Sequence, residues 1–195
     1  RTFNPYGYSV NVTGNQNFLK TGIEGTLRID YNMKGKGFYV RGYGGMYFGL
    51  SNLLGSLNEM QYFLNSTYNA NNDFMYDQVF MARSEQKGFL THQISMKEGG
   101  FKIQTLMLNN PVGINDQWLT AVNLRSDLPI KLPIKVQMFI DAGTYAHAGK
   151  LNSSGNKLIY DGGVEVHLFS DILVIYAPLM MCKEFKEYTK STYPK

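Results

Sequence analysis

The side chains of this sequence best suited to metal binding or acid–base chemistry are three histidines, His92, His147 and His167. None has the spacing of a His-Glu-x-x-His zinc hydrolase, in which two histidines lie one helical turn apart beside a glutamate. Asp161, Glu165 and His167 share one face of a predicted strand, because they are separated by even numbers of residues. This group is more typical of a hydrogen-bonded polar lining than of a metal site, and we expect no metal.

Nucleophilic chemistry is no better supported. Cys182 follows Met180 and Met181 with no base nearby in the sequence, which is typical of a packed or lipid-facing thiol. There is no Gly-x-Ser-x-Gly nucleophile elbow. The Gly-rich stretch 42–45 lies inside a strand pattern and no helix follows it, so it lacks the geometry of a dinucleotide-binding loop. We therefore expect no catalytic site in this chain and no cofactor.

A nucleic-acid partner is not expected either. Segment 36–40 begins like the RNA-recognition signature, but Tyr39 and Val40 break it. The formal net charge of +4 is modest for 195 residues and requires no polyanionic partner.

The composition indicates an all-β chain. Apolar residues make up 44% of the sequence, enough for a core, while charged residues make up only 17%, against about 25% in ordinary soluble domains. Aromatic residues reach 14% and there are 20 glycines, as in a chain of strands and turns. The single cysteine excludes an intrachain disulfide.

Alternation of apolar and polar residues at period 2 is the strongest structural signal. It runs through 19–31 and 38–48 and returns near 90–96, and it then recurs in three later segments, 117–125, 135–142 and 161–168. Turn signals separate these segments, so we predict nine or ten antiparallel strands joined mostly as hairpins. Residues 49–75 are predicted to form one long loop, with a short helix where leucines recur at helical spacing.

Strand length favours a membrane barrel over a soluble one. Segments 19–31 and 38–48 span 13 and 11 residues, whereas soluble strands cluster at about 5–6 and membrane strands need ~9–11. Several aromatic residues also fall near the predicted strand ends, as in interfacial girdles: Tyr31, Phe38, Tyr145, Tyr160 and Phe169. In this architecture the apolar face contacts lipid and the polar face lines a lumen. The predicted lumen-lining residues are Lys20, Glu24, Arg28, Asp30, Arg41, Asp141, Asp161, Glu165 and His167.

The C-terminal third carries a set of ordered motifs. Gln117–Leu124 and Leu128–Pro133 are followed by Phe-Ile-Asp-Ala-Gly at 139–143, Tyr-Asp-Gly-Gly-Val at 160–164 and Tyr-Ala-Pro-Leu at 176–179. This order resembles the closing strands of BamA-like outer-membrane barrels, the bacterial surface-antigen superfamily, over about residues 117–181. Through residues 76–93 the chain is most similar to the barrel region fused to zinc aminopeptidase-like domains in Bacteroidota proteins.

The resemblance implies a transmembrane, up-and-down antiparallel β-barrel in the bacterial outer membrane, with lipid as its partner. Its expected role is membrane anchoring, or passage and assembly of polypeptides, and any peptidase activity would belong to a separate domain of the parent protein. In such barrels a loop arginine folds into the lumen. Arg83 is preferred over Arg41 for this role, and we expect it to pair with Asp141 or Asp161.

The polar segment 183–195 lacks the alternation of a closing strand. It is predicted to leave the sheet as a turn or loop, so that residues 1–195 are one barrel region that needs the remainder of its own barrel or another membrane-protein chain to close. Two alternatives remain open: a soluble lipocalin-like barrel carrying a small apolar ligand, and a surface-exposed adhesive β-sandwich.

Overall fold

The chain folds as an all-β protein in a computed structural model. The structure describes residues 4–14, 16, 18–49, 62–63, 66–67, 96, 98–105, 112–130, 132–152, 154–169 and 171–192. The strands are β1 (Tyr6–Gly14), β2 (Phe18–Asp30), β3 (Gly37–Gly49), β4 (Tyr62–Phe63), β5 (Ser66–Thr67), β6 (Gln104–Thr105), β7 (Ile114–Asn115), β8 (Trp118–Asp127), β9 (Lys135–Tyr145), β10 (Ile159–Leu168) and β11 (Leu173–Met181). The helices are α1 (Ala148–Leu151) and α2 (Lys183–Thr192).

Seven long strands form one antiparallel sheet in the order β1-β2-β3-β8-β9-β10-β11. Each strand pairs with the long strand next to it in the chain, so the sheet is an up-and-down meander. The short strands form two separate ladders, β4 with β7 and β5 with β6. In the described residues the outer edges of β1 and β11 have no paired strand, and the sheet is not closed.

The period-2 predictions are confirmed where the structure describes the chain. The alternating segments 19–31, 38–48, 117–125, 135–142 and 161–168 correspond to β2, β3, β8, β9 and β10. Most of the segment near 90–96 and most of the predicted loop 49–75 lie outside the described residues. Among the described residues the main sheet has seven strands, and a closed barrel is not shown. The predicted total of nine or ten strands stays a prediction, because parts of the chain lie outside the described residues.

The two faces of the sheet have opposite character, and the apolar face is the exposed one. Ile23 and Ile140 are 58% and 47% exposed, whereas Asp141 and Glu165 are fully buried. A sheet folded in water buries its apolar side because that transfer supplies most of the driving force for folding. Here the centre of the polar face is buried and the apolar face is exposed.

The two ends of the sheet also differ. At one end, called here the short-turn end, the strands are joined by residues 31–36, 128–134 and 169–172. At the other, the long-loop end, the links are 15–17, 50–117 and 146–158, and α2 follows β11 there. The buried apolar cluster lies towards the long-loop end, on the polar side of the sheet; its largest members are Tyr43, Phe101, Leu119, Tyr145, Ile159 and Phe185.

The C-terminal segment leaves the sheet, but as a helix. The prediction of a turn or loop was wrong, because residues 183–192 form α2. The helix has Glu184 in its first turn and Lys190 in its last, which suits the helix dipole. Phe185 is fully buried and anchors the helix in the apolar cluster. Among the described residues, no helix has both the length and the apolar character needed to cross a bilayer.

Candidate functional site

All nine residues predicted to line a lumen lie on the same, polar face of the sheet. Alternation along each strand places even-numbered residues of β2 and odd-numbered residues of β3, β8, β9 and β10 on this side. The nine are Lys20, Glu24, Arg28, Asp30, Arg41, Asp141, Asp161, Glu165 and His167. Whether this face encloses a lumen stays a prediction.

Four polar residues form a row across the middle of this face. Arg41 is the register partner of Asn123, Asn123 of Asp141, and Asp141 of Asp161. Because paired residues on adjacent strands lie about 5 Å apart, the row presents one continuous line of donors and acceptors across four strands.

A segment from outside the sheet, residues 98–103, binds along this row and is called here the strap. The carbonyl of Glu98 accepts a hydrogen bond from Arg41 (2.9 Å), and the carbonyl of Gly99 accepts one from Asn123 (2.9 Å). Further along, the backbone N–H of Ile103 donates to Asp161 (3.2 Å). The row therefore provides partners for three backbone groups of the strap.

The strap also forms a deeply buried ion pair, that of Lys102 with Asp141. The ammonium donates to both carboxylate oxygens at 2.8 Å, and Asn123 donates to the same carboxylate, also at 2.8 Å. The two side chains are only 5% and 0% exposed. Lys102 Nζ also lies 5.2 Å from the ring centroid of Phe139, a cation–π distance. Two charges this deeply buried are tolerated because each has its partner.

Gly100 lets the strap come this close to the sheet. Its φ is +70°, and a Cβ there would lie 2.6 Å from Asn123 Oδ1 and 2.7 Å from Arg41 Nη1. Glycine is therefore favoured here both by the backbone conformation and by the close approach.

Apolar contacts hold the other side of the strap. Phe101 is fully buried and meets Phe185 of α2 edge to face, with ring centroids 6.2 Å apart. Ile103 is buried in the same cluster. The strap thus bonds to the polar row on one side and packs into the apolar cluster on the other.

A second polar network lies near the short-turn end. His167 contacts Asp171 through Nδ1 (2.7 Å) and Glu165 through Nε2 (3.3 Å). Lys135 lies 3.4 Å from Asp171. The hydrogen bond from His167, with the charge of Lys135, lowers the pKa of Asp171 below its ordinary value.

A cavity of about 330 Å³ lies between the strap and this second network. Its lining is polar and aromatic: Tyr39, Arg41, Met96, Gly100, Lys102, Asn123, Arg125 and Tyr176.

The pairing predicted for Arg83 stays a prediction. Arg83 lies outside the described residues. Of the two partners proposed for it, Asp141 and Asp161, Asp141 forms an ion pair with Lys102. Arg41, the less favoured candidate, contacts Glu24 (2.6 Å) as well as the strap.

Sequence reasoning missed the strap and Lys102. Glu98-Gly99-Gly100 is one of the turn signals that separate the alternating segments, and the following Phe-Lys-Ile carries no sign that its lysine is buried. The available signal was a pair of adjacent glycines before an apolar–basic–apolar triplet, which fits a backbone pressed against another surface.

The arrangement is suited to filling and rigidifying the polar face. In the described part of the chain, no three His, Cys, Asp or Glu side chains are grouped so as to hold a metal ion. No family model, curated protein or solved structure matches the chain.

Proposed function

We propose that this chain is the β-barrel region of a bacterial outer-membrane protein, similar to the BamA-like barrels, and that its role is to anchor the protein in the bilayer. On this proposal the exposed apolar face contacts lipid, and the polar face lines a lumen that the strap fills. The reaction chemistry of the parent protein then belongs to another domain.

One observation carries the proposal. Every Asp, Glu, Lys and Arg of the seven long strands lies on the polar face, and none lies on the outward face. A soluble sheet has no reason to exclude charge from its exposed side, because charged residues there cost almost nothing. In a bilayer the same exclusion is required, since Arg or Lys facing lipid costs about 2–4 kcal/mol near the midplane.

Strand length and aromatic placement agree with this. The seven strands run from 9 residues in β1 to 13 in β2, at or above the ~9–11 needed to cross the hydrocarbon core at a tilt. Phe48 and Trp118 lie on the outward face towards the long-loop end, and Phe38 lies on it at the short-turn end. Aromatic side chains at both ends of the strands suit the two membrane interfaces.

The strap favours anchoring over open conduction. It crosses the faces of β3, β8, β9 and β10 and reaches β2 through the ion pair of Lys20 with Glu98 (2.6 Å). A substrate path along the polar face would require this segment to move. The buried contacts of Lys102 and Phe101 oppose such movement.

The open edges fit a barrel completed by further strands. Unpaired backbone groups in lipid cost several kcal/mol each, so the outer edges of β1 and β11 need partners. We assign these partners to further strands of the same protein or to a second chain.

The test is extraction of the full-length protein from cell envelopes. We expect the protein to sediment with the outer membrane, to resist alkaline carbonate, and to dissolve only when detergent is added. A folded barrel would also migrate faster on a denaturing gel before boiling than after it. Release by carbonate without detergent would contradict the proposal and favour the soluble lipocalin-like alternative.

A further inference from the structure

The cavity between the strap and the short-turn end is lined by a cation, Arg125, whose guanidinium donates no hydrogen bond to the residues that the structure describes. We infer that this cavity binds a small anionic group, a carboxylate or a phosphate, through the guanidinium of Arg125. The inference concerns the enclosed face of the sheet and goes beyond the proposed anchoring role.

The guanidinium of Arg125 lacks a close hydrogen-bond partner among the described residues. Its nearest carboxylate is Glu165, with Nη1 to Oε1 at 3.7 Å, which is too long for a hydrogen bond. Within the part of the chain that the structure describes, its guanidinium donates no hydrogen bond. The side chain is 44% exposed, so ligand can reach it.

The other two cations that line the cavity are already bound. Arg41 donates to Glu24, to Asn123 and to the strap carbonyl of Glu98. Lys102 is held by Asp141. An incoming anion therefore finds available donors on Arg125 and not on these neighbours.

Aromatic rings hold the guanidinium in position. Arg125 lies 5.6 Å from the ring centroid of Tyr39, and Arg28 lies 5.3 Å from the same ring. Tyr176, which also lines the cavity, packs edge to face on Phe139 with centroids 6.4 Å apart. A guanidinium fixed on a ring loses little side-chain entropy when it binds a ligand.

The chemistry of the ligand follows from this donor set. A planar fork of N–H groups matches the paired oxygens of a carboxylate or phosphate. Such an anion would form two short, charge-assisted hydrogen bonds with the guanidinium in addition to its long contact to Glu165. The volume, about 330 Å³, lies at the lower end of the ~300–1,000 Å³ of small-molecule sites, so we expect a small ligand or the terminal group of a larger one.

The experiment titrates the full chain, in detergent micelles, with inorganic phosphate and with acetate in separate arms. The readout is the side-chain Nε–Hε resonance of Arg125 in a nitrogen–proton correlation spectrum. We expect a saturable shift with at least one anion. Arg125→Gln should weaken binding ~10-fold or more, measured for phosphate by phosphorus line broadening and for acetate by saturation transfer. Lys183→Gln, on the exposed side of α2, should bind as the parent does.

The arms also identify the source of the anionic group. Saturation by phosphate alone supports a phosphate ligand, and saturation by acetate alone supports a carboxylate. If Arg125→Gln does not fold, Arg125→Lys replaces it, because lysine keeps the charge but loses the fork and should still bind more weakly. The inference is overturned if neither anion gives a saturable shift, or if the Arg125 variants bind as tightly as the parent. Membrane extraction is independent of this result, so the two proposals can fail separately.

Discussion

Lys102 of the strap and Asp141 of β9 form a buried ion pair in which the ammonium lies 2.8 Å from both carboxylate oxygens. The pair links a segment outside the sheet to the centre of its polar face. Both side chains of this pair are almost completely excluded from solvent.

Lys102→Met is expected to lower the free energy of unfolding by about 3–5 kcal/mol, because it leaves the buried carboxylate of Asp141 without its cation. Urea titration in detergent micelles measures this. Lys20→Met is the matched control, since it also breaks a strap ion pair. It should cost about 1 kcal/mol or less, because that pair is partly exposed.

A double variant isolates the pair. Lys102→Met with Asp141→Leu should recover most of the lost stability, because no uncompensated charge then remains buried. Equal decreases in the free energy of unfolding for Lys102→Met and Lys20→Met would contradict the larger contribution assigned to Lys102.

Substitution of Ile140 by lysine tests the outward face. On the membrane account Ile140→Lys costs about 2–4 kcal/mol, because the new charge faces hydrocarbon. Ile130→Lys is the control, since Ile130 is similarly exposed, at 52% against 47%, but lies in the turn between β8 and β9. Urea titration in lipid vesicles should show a lower free energy of unfolding for Ile140→Lys and almost no change for Ile130→Lys. Similar small losses at both positions would indicate that the sheet face contacts water.

Much of the fold could be predicted from the sequence because alternation is a local property. The period-2 pattern of 19–31 predicts that its charged side chains share one face of a strand, and in β2 they do. The partners of the same charges could not be predicted, because they depend on a segment far along the chain. Glu98 lies 78 residues from Lys20, and Lys102 lies 39 residues from Asp141.

The helix α2 was missed for a related reason. Its sequence is polar and lacks a period-2 pattern, but Phe185 and the preceding Cys182 reach the apolar cluster formed by other elements. Burial of these side chains against distant strands stabilises the helix, and a local pattern does not reveal that burial.

Phe185→Ala should loosen both α2 and the strap. Phe185 is fully buried against Phe101, and truncation of such a side chain typically costs about 3–5 kcal/mol. Hydrogen exchange should speed up at the amides of residues 99–103 as well as in α2. Lys183→Ala, at a position with a 63% exposed side chain, should change neither. Faster exchange in α2 alone would show that the helix and the strap are not coupled.

Asp171 should titrate below the ordinary range of aspartate. Its pKa is lowered chiefly by the hydrogen bond from His167 and also by Lys135. The carboxylate therefore stabilises the β10–β11 turn above the ordinary pKa of about 3.9, and this contribution is lost as the pH falls through the lowered value. The chemical shifts of residues 168–173 should follow this transition.

Asp171→Asn provides the control for that titration. Asp171 has a φ of +71°, a conformation that asparagine also tolerates, so the variant removes the charge and preserves the backbone. The transition should disappear in Asp171→Asn. A midpoint at or above the ordinary aspartate value in the parent would contradict the assigned hydrogen bond.

Fluorescence of Trp118, the single tryptophan of the chain, tests most directly whether the apolar face contacts lipid. Trp118 lies on the outward face of β8 and is 38% exposed. In vesicles containing brominated phospholipids we predict strong quenching of its emission, together with protection from aqueous iodide. Efficient iodide quenching with no effect of the brominated lipids would contradict the membrane placement of this sheet.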